Sequence, residues 1–273
     1  MSFINNESTL KRNVLATDLD GTLIPLPDSS GNQEALDHLT ACKNAEVFQL
    51  IFCTGRHFTS VKDAISHYQL PLPEWIICDV GTTIYKNHEG TFQPFDAYTQ
   101  HLKDLTVQTE RKEMESLLDD LPDLNLQQED HQGEFKISYE CESSQTDDFV
   151  EKISGILEEK NIPFQAHGSI DPFLHCGLID LLPRGVSKSY ALSWLATYAG
   201  YEADQVIYAG DSGNDYLALT SGCRAIVVAN ASKGLLEKVK AALKEKNKSD
   251  ALYAAKESAT SGVLEGCKHF GWI

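Results

Sequence analysis

Short apolar runs in this chain stop, again and again, at turns built from acids, hydroxyls and glycine. Residues 14–17 (VLAT) end in Asp18-Leu19-Asp20-Gly21, 47–53 (VFQLIFC) in Thr54-Gly55-Arg56, and 75–78 (WIIC) in Asp79-Val80-Gly81. Between them lie segments with helical spacing. Asn32 is placed to cap a helix running to about Lys43 with Ala35, Leu36 and Leu39 on one face; a second carries Val61, Ala64, Ile65 and Tyr68. Apolar runs too short for buried helices, alternating with amphipathic helices, predict an α/β chain with a parallel sheet covered by helices. In such sheets ligands gather outside the carboxyl ends of the strands. Every polar turn named above lies at that edge.

The pattern changes near Lys86. From 86 to 173 the chain is more polar and holds most of the acidic clusters: Asp119-Asp120, Glu129-Asp130 and Asp147-Asp148. A helix is expected near 97–118, and a hairpin across His131-Gln132-Gly133 whose second strand is FKISYEC. A helix with Phe149, Val150, Ile153, Ile156 and Leu157 on one face follows, then a short strand near Phe164. The core pattern is expected to resume at Leu174 and reach Pro183. A helix from Ser187-Lys188 to Gly200 follows, then a strand at 206–208 ending in Gly210-Asp211-Ser212-Gly213-Asn214-Asp215. A strand at 225–228 and helices near 232–245 and 262–270 close the chain. This reads as a core of 1–85 and 174–273 with an α/β domain, 86–173, inserted into it.

The formal net charge of −17 argues against nucleic acid and anionic membrane surfaces as partners, since both would be repelled. A phosphate ester is also an anion, so a site for one needs local donors or a cation to reverse the field. Seven scattered cysteines without a Cys-x-x-Cys pair argue against a disulfide framework or a zinc site. The opening residues are polar and lack a signal-like apolar stretch, and no run of 18 apolar residues occurs. A cytoplasmic location is expected.

Asp18 and Asp20 are one residue apart at a strand end, so both carboxylates can face one site while Leu19 points away. Carboxylates so close repel, and a divalent cation is one common remedy. One carboxylate can attack phosphorus while the other carries a proton; a capped turn is the plainer alternative. Thr54 and Gly55 offer a hydroxyl and an unhindered N–H to a phosphoryl oxygen, or simply make a turn. Arg56 fits an ion pair as well as a substrate contact. Lys188 opens a helix, where the dipole disfavours a cation unless an anion faces it; a solvated surface lysine is the other reading. Asp211, Asn214 and Asp215 are hard oxygen ligands of the kind magnesium takes, or else a helix cap with acidic first-turn residues.

Taken in order, Asp18-Leu19-Asp20-Gly21-Thr22, Thr54-Gly55-Arg56, Lys188 and Gly210-Asp211-Ser212-Gly213-Asn214-Asp215 resemble the four motifs of the haloacid dehalogenase superfamily of phosphatases. The resemblance implies a Rossmann-like core with a mobile cap between the second and third motifs. It implies Asp18 as nucleophile and metal ligand. Asp20 becomes general acid and base, with its carbonyl also on the metal. Thr54 and Lys188 would hold the phosphoryl group and Asp211 would bind magnesium directly, while Asn214 and Asp215 steady the metal waters or Lys188.

Within that superfamily the chain is similar to the sucrose-phosphate phosphatase group, through Asp79-Val80-Gly81-Thr82-Thr83-Ile84-Tyr85, Phe135-Lys136-Ile137-Ser138-Tyr139, Asp180-Leu181-Leu182-Pro183-Arg184-Gly185 and the ending 262–271. The implied activity is magnesium-dependent hydrolysis of a sugar phosphate, with a disaccharide phosphate like sucrose-6-phosphate favoured. Relatives usually carry an acid two positions before Asp180, where this chain has Leu178. Lys136 and Ser138 share a strand face and could bind sugar hydroxyls, or could form a solvent-facing edge. A phosphomutase of the same superfamily is the nearest alternative, but such caps usually supply several arginines and 86–173 holds only Arg111. A phosphatase for another small ester and a phospho-acceptor switch are further alternatives.

Overall fold

The computed structural model describes residues 13–27, 29–106, 109, 111–170 and 176–273. In chain order the elements are β1 (Asn13–Thr17), α1 (Ser30–Asn44), β2 (Phe48–Cys53), α2 (Phe58–Tyr68), β3 (Trp75–Cys78), β4 (Thr83–His88) and β5 (Thr91–Pro94). Then come α3 (Asp96–Thr106), α4 (Arg111–Leu118), β6 (Asn125–Leu126), β7 (Ile137–Cys141), α5 (Thr146–Glu159), β8 (Phe164–Ile170) and β9 (Gly177–Pro183). The last are α6 (Lys188–Ala199), β10 (Val206–Gly210), α7 (Tyr216–Leu219), β11 (Arg224–Val227), α8 (Lys233–Glu245), β12 (Leu252–Ala254) and α9 (Ala259–His269). They fall into two compact units. The first takes the chain up to Cys53, Ala64–Trp75 and Ser193–Ile273; the second takes Thr54–Asp63 and Ile76–Leu192.

The first unit is built on parallel strands in the order β12-β11-β10-β1-β2. Val14, Leu15 and Ala16 of β1 and Ile207, Tyr208 and Ala209 of β10 are all fully buried. Strands covered on both faces read as continuous apolar runs, so the sequence pattern follows from the architecture. The strand order reverses at β1, which has β2 on one side and β10 on the other. The register Thr17↔Ala209 therefore sets the turns after β1 and β10 side by side. Asn32 does not cap α1. The helix begins at Ser30, and Asn32 lies inside it, fully buried, its amide bonded to Ser29 Oγ at 2.7 Å and to Ser258 O and Ser261 Oγ at 3.2 Å. A residue that can cap locally is here used to tie α1 to a distant loop.

In the second unit β4 and β5 form an antiparallel hairpin, and a separate antiparallel sheet runs β6-β7-β9-β8. One face of that sheet carries Ile137, Tyr139, Phe164, Ile179 and Leu181, packed with Phe149, Ile153 and Leu157 of α5 and Met114 and Leu118 of α4. The stripe expected on α5 is thus the helix face buried on the sheet. The expected hairpin across His131-Gln132-Gly133 is present, formed by β6 and β7. Two expectations change. The helix near 97–118 is two, α3 and α4. Residues 177–183 do not rejoin the parallel pattern; β9 is a central strand between β7 and β8. An apolar run shows that a strand is buried but not which partner it takes.

Candidate active site

The site in the first unit grows from the ends of β1 and β10. Asp18 directly follows β1, where its N–H donates to Ala209 O at 2.9 Å and its Oδ1 accepts the Leu19 N–H at 2.8 Å. Leu19 is fully buried, Asp18 is buried and Asp20 is half-buried. The chain then turns at Gly21, whose φ is +69°; a Cβ there would stand 2.5 Å from Asp211 Oδ2. Glycine is required twice over, for the left-handed backbone and for the close approach of the second acidic loop. Thr22 Oγ1 donates to Asp211 Oδ1 at 3.0 Å, and Asn230 Nδ2 donates to Gly21 O at 2.7 Å.

The loop after β10 is organised by Asp215, which is fully buried. Its Oδ1 accepts the Tyr208 hydroxyl at 2.6 Å, and its Oδ2 accepts the N–H groups of Asp211 and Ser212 at 3.1 Å each. Burial, with Asp215, Cys53 and Asp18 nearby, pushes the Tyr208 phenol well above its ordinary value, so it remains a donor. Asp211 is half-buried and Asn214 exposed, the latter accepting from Ser212 Oγ at 2.8 Å.

Oxygens of Asp18, Asp211 and Asp215 lie within 4.8 Å of one another. Three carboxylates so placed, two of them buried, are costly as bare anions. A small hard cation that uses one or two carboxylates and keeps water on its other positions suits this donor set. Asp20, half-buried in the same turn, is not in that group, which suits a proton carrier better than a side-chain ligand.

The second unit holds the remaining expected residues. Thr54 is buried, donates its N–H to Ile77 O at 2.9 Å, and accepts the Arg56 N–H on Oγ1 at 3.1 Å. Gly55 and Arg56 are half-buried, and Arg56 Nη1 donates to Ser60 Oγ at 2.9 Å. Lys188 does open α6, but it is fully buried and not the solvated lysine of the alternative reading. Lys136 and Ser138 are buried too, so the solvent-facing edge is excluded. Lys136 Nζ pairs with Asp79 Oδ1 at 3.3 Å, and Ser138 Oγ donates to Asp180 Oδ1 at 2.6 Å. Asp180 stands opposite His167 on β8, so Ser138, Asp180 and His167 form a polar row across the sheet face that turns away from α5. Burial holds the His167 imidazole below its ordinary value while Asp180 opposes that shift. Asp79, Asp180, His167, Tyr208 and Asn230 were not singled out as site residues from sequence. Only the spacing of Asp79 and Asp180 inside the group motifs hinted at them.

A family model described as sucrose-6F-phosphate phosphohydrolase matches residues 11–271. Sucrose-phosphatase 1 of Nicotiana tabacum is 27% identical over 266 residues, 95% of this chain but 59% of that protein, so the chain spans about six tenths of its length. Mannosylfructose-phosphate phosphatase of Agrobacterium fabrum is 26% identical, covering 94% of this chain and 96% of its own. The structure of the sucrose-phosphatase from Synechocystis, solved with sucrose and phosphate, superposes with a TM-score of 0.76 at 25% identity, over 96% of this chain and 98% of that one.

Proposed function

The chain belongs to the sucrose-6F-phosphate phosphohydrolase family and is a phosphatase of the haloacid dehalogenase superfamily, and from that premise we propose that it hydrolyses a disaccharide phosphate through an aspartyl-phosphate on Asp18. The observation that carries this is the convergence of the Asp18, Asp211 and Asp215 carboxylates beyond β1 and β10. Magnesium fits that set, with Asp18, Asp211 and the Asp20 carbonyl as ligands. When bound, it would offset the negative charge of the carboxylates and of the phosphoryl oxygens. Asp215 spends its oxygens on Tyr208 and on the loop's own N–H groups, so its part is to present Asp211.

In the first half-reaction an Asp18 oxygen attacks phosphorus and the bond from phosphorus to the sugar oxygen breaks. Asp20 gives its proton to that leaving oxygen, freeing the sugar. In the second, Asp20 takes a proton from water as the water oxygen attacks the same phosphorus, releasing orthophosphate and restoring the Asp18 carboxylate. Each proton transfer of this kind contributes roughly 10²- to 10⁴-fold. Thr54, Gly55 and Lys188 hold the transferring group through a hydroxyl, an N–H and an ammonium, and charge stabilisation of this kind dominates phosphoryl transfer.

The segment 86–173, its sheet completed by β9, is proposed as the cap that selects the ester. Ser138 belongs to its polar row. Lys136 is assigned primarily to the ion pair with Asp79. The names of the tobacco and Agrobacterium relatives favour a disaccharide phosphate. Arg111, the one arginine of that segment, is held by Glu129 at 2.6 and 2.9 Å and by Glu115, which leaves the mutase reading without a second-phosphate clamp. Phosphate release is to be measured with magnesium and with EDTA across sucrose-6-phosphate, mannosylfructose phosphate, trehalose-6-phosphate, hexose monophosphates and phosphoglycolate. Magnesium-dependent release led by one disaccharide phosphate is expected. Broad weak release rejects the substrate, and no release from any ester rejects the hydrolase.

A further inference from the structure

The turn that follows β3 has no part in the chemistry above, yet its backbone is unusual. Asp79, Val80 and Gly81 have φ of +52°, +58° and +99° in succession. A left-handed backbone is disfavoured for any residue with a Cβ, and most for a β-branched one. Such conformations persist only where surrounding contacts over-determine them, and they cluster where geometry matters for function. Thr82 Oγ1 closes the turn on Asp79 O at 2.9 Å.

The contacts that enforce this turn run to the two residues given the phosphoryl group. On one side the Val80 N–H donates to Thr54 O at 3.2 Å, and the Asp79 N–H to Arg56 O at 2.9 Å. On the other, Gly81 lies against the start of α6: a Cβ on it would stand 2.3 Å from Ser187 O and 2.8 Å from Lys188 N. Behind Gly81, the phenol of Tyr98 on α3, only 1% exposed, donates to Gly81 O at 2.7 Å. One helical turn along α3, His101 Nε2 and the Tyr190 hydroxyl share a 2.6 Å hydrogen bond, and the Tyr190 N–H donates to Ser187 Oγ at 3.2 Å. Lys188 itself is fully buried.

We propose that the turn 79–82, braced by the Tyr98 hydroxyl, sets the spacing between Thr54 and Lys188, with Gly81 and Tyr98 as positioning residues. The inference rests on the phosphoryl-holding roles proposed for Thr54 and Lys188. Tyr98→Phe keeps the buried ring and removes only the donor. Orthophosphate binding is to be measured by calorimetry, with magnesium present, for the full chain, Tyr98→Phe, Lys188→Met and the double variant, alongside kcat and the thermal midpoint. Tyr98→Phe is expected to weaken orthophosphate binding and lower kcat by about ten-fold, the scale of a small misplacement, with little change in midpoint. That binding loss should vanish once Lys188 is already Met, because coupled residues are not additive. An equal loss in both backgrounds, or wild-type binding by Tyr98→Phe, overturns the proposal. If Tyr98→Phe unfolds, Tyr190→Phe, which breaks only the His101 bond to α6, replaces it in the cycle with the same two outcomes. A wild-type chain that neither binds orthophosphate nor releases it from any ester overturns the hydrolase reading, and this inference with it.

Discussion

Asp18 combines burial with a hydrogen bond from the Leu19 N–H, which fixes one carboxylate oxygen and leaves the side chain little freedom. Asp18→Asn preserves its shape and removes its nucleophilic charge. Steady-state phosphate release should fall by about 10⁴-fold or more, as for other residues that act as one catalytic unit, with an unchanged circular dichroism spectrum; near-normal turnover would refute the mechanism. Lys136 poses a different question. Its ammonium and the Asp79 carboxylate are both almost entirely removed from solvent, and burial raises the Asp79 carboxyl while Lys136 pulls it back down. Breaking a buried pair by removing one partner costs roughly 3–5 kcal/mol. Lys136→Met should therefore lower stability by that order in urea unfolding. A variant of wild-type stability with a raised KM would instead return Lys136 to the sugar.

Among elements, the turns after β1 and β10 depend on each other. Parallel pairing of β1 with β10 places them adjacent, and Gly21 lets them touch. Forcing a Cβ into a left-handed turn costs about 1–3 kcal/mol, and at Gly21 the Cβ would also displace Asp211. Gly21→Ala should raise the magnesium concentration for half-maximal activity by about 10- to 100-fold, each 1.4 kcal/mol being ten-fold, with smaller effect at saturating magnesium. Unchanged magnesium dependence would separate Gly21 from the metal loop. The spacing of α5 and the end of β1 were legible from sequence because both are set by local periodicity. The pairing of β9 and the two-helix form of 97–118 were not, since strand partners and helix breaks answer to distant residues.

For the whole molecule, acidity and the His57 and His167 imidazoles together shape the response to pH. Burial, then His131, holds the His57 imidazole below 6.5, with Lys136 adding to the shift and Asp79 and Asp130 opposing it. Burial does the same to His167. The unfolded chain therefore takes up these protons first, and the stability they contribute is present above pH 6.5 and lost as pH falls toward the folded values. Asp79, raised by burial, acts in the opposite sense at lower pH. Thermal midpoints from pH 8 to 5.5 should decline, and the decline should flatten in the His57→Gln, His167→Gln double variant; an equal slope in both would remove the histidines as its source. No helix among the described residues is long and apolar enough to cross a membrane.

From the sequence alone one could read where the acids fall. Asp18, Asp20, Asp211 and Asp215 stand in short segments directly after buried apolar runs, a placement that depends only on neighbours a few residues away. Which polar groups are shielded from water depends instead on packing between segments far apart in the chain. Lys188, Lys136 and Ser138 all read equally well as surface residues, and each is buried. The partners Asp79 and Asp180 arrive by strand pairing and loop contact rather than by spacing. Burial is a property of the packed chain, and the energy of a charge depends on burial more than on its neighbours in sequence.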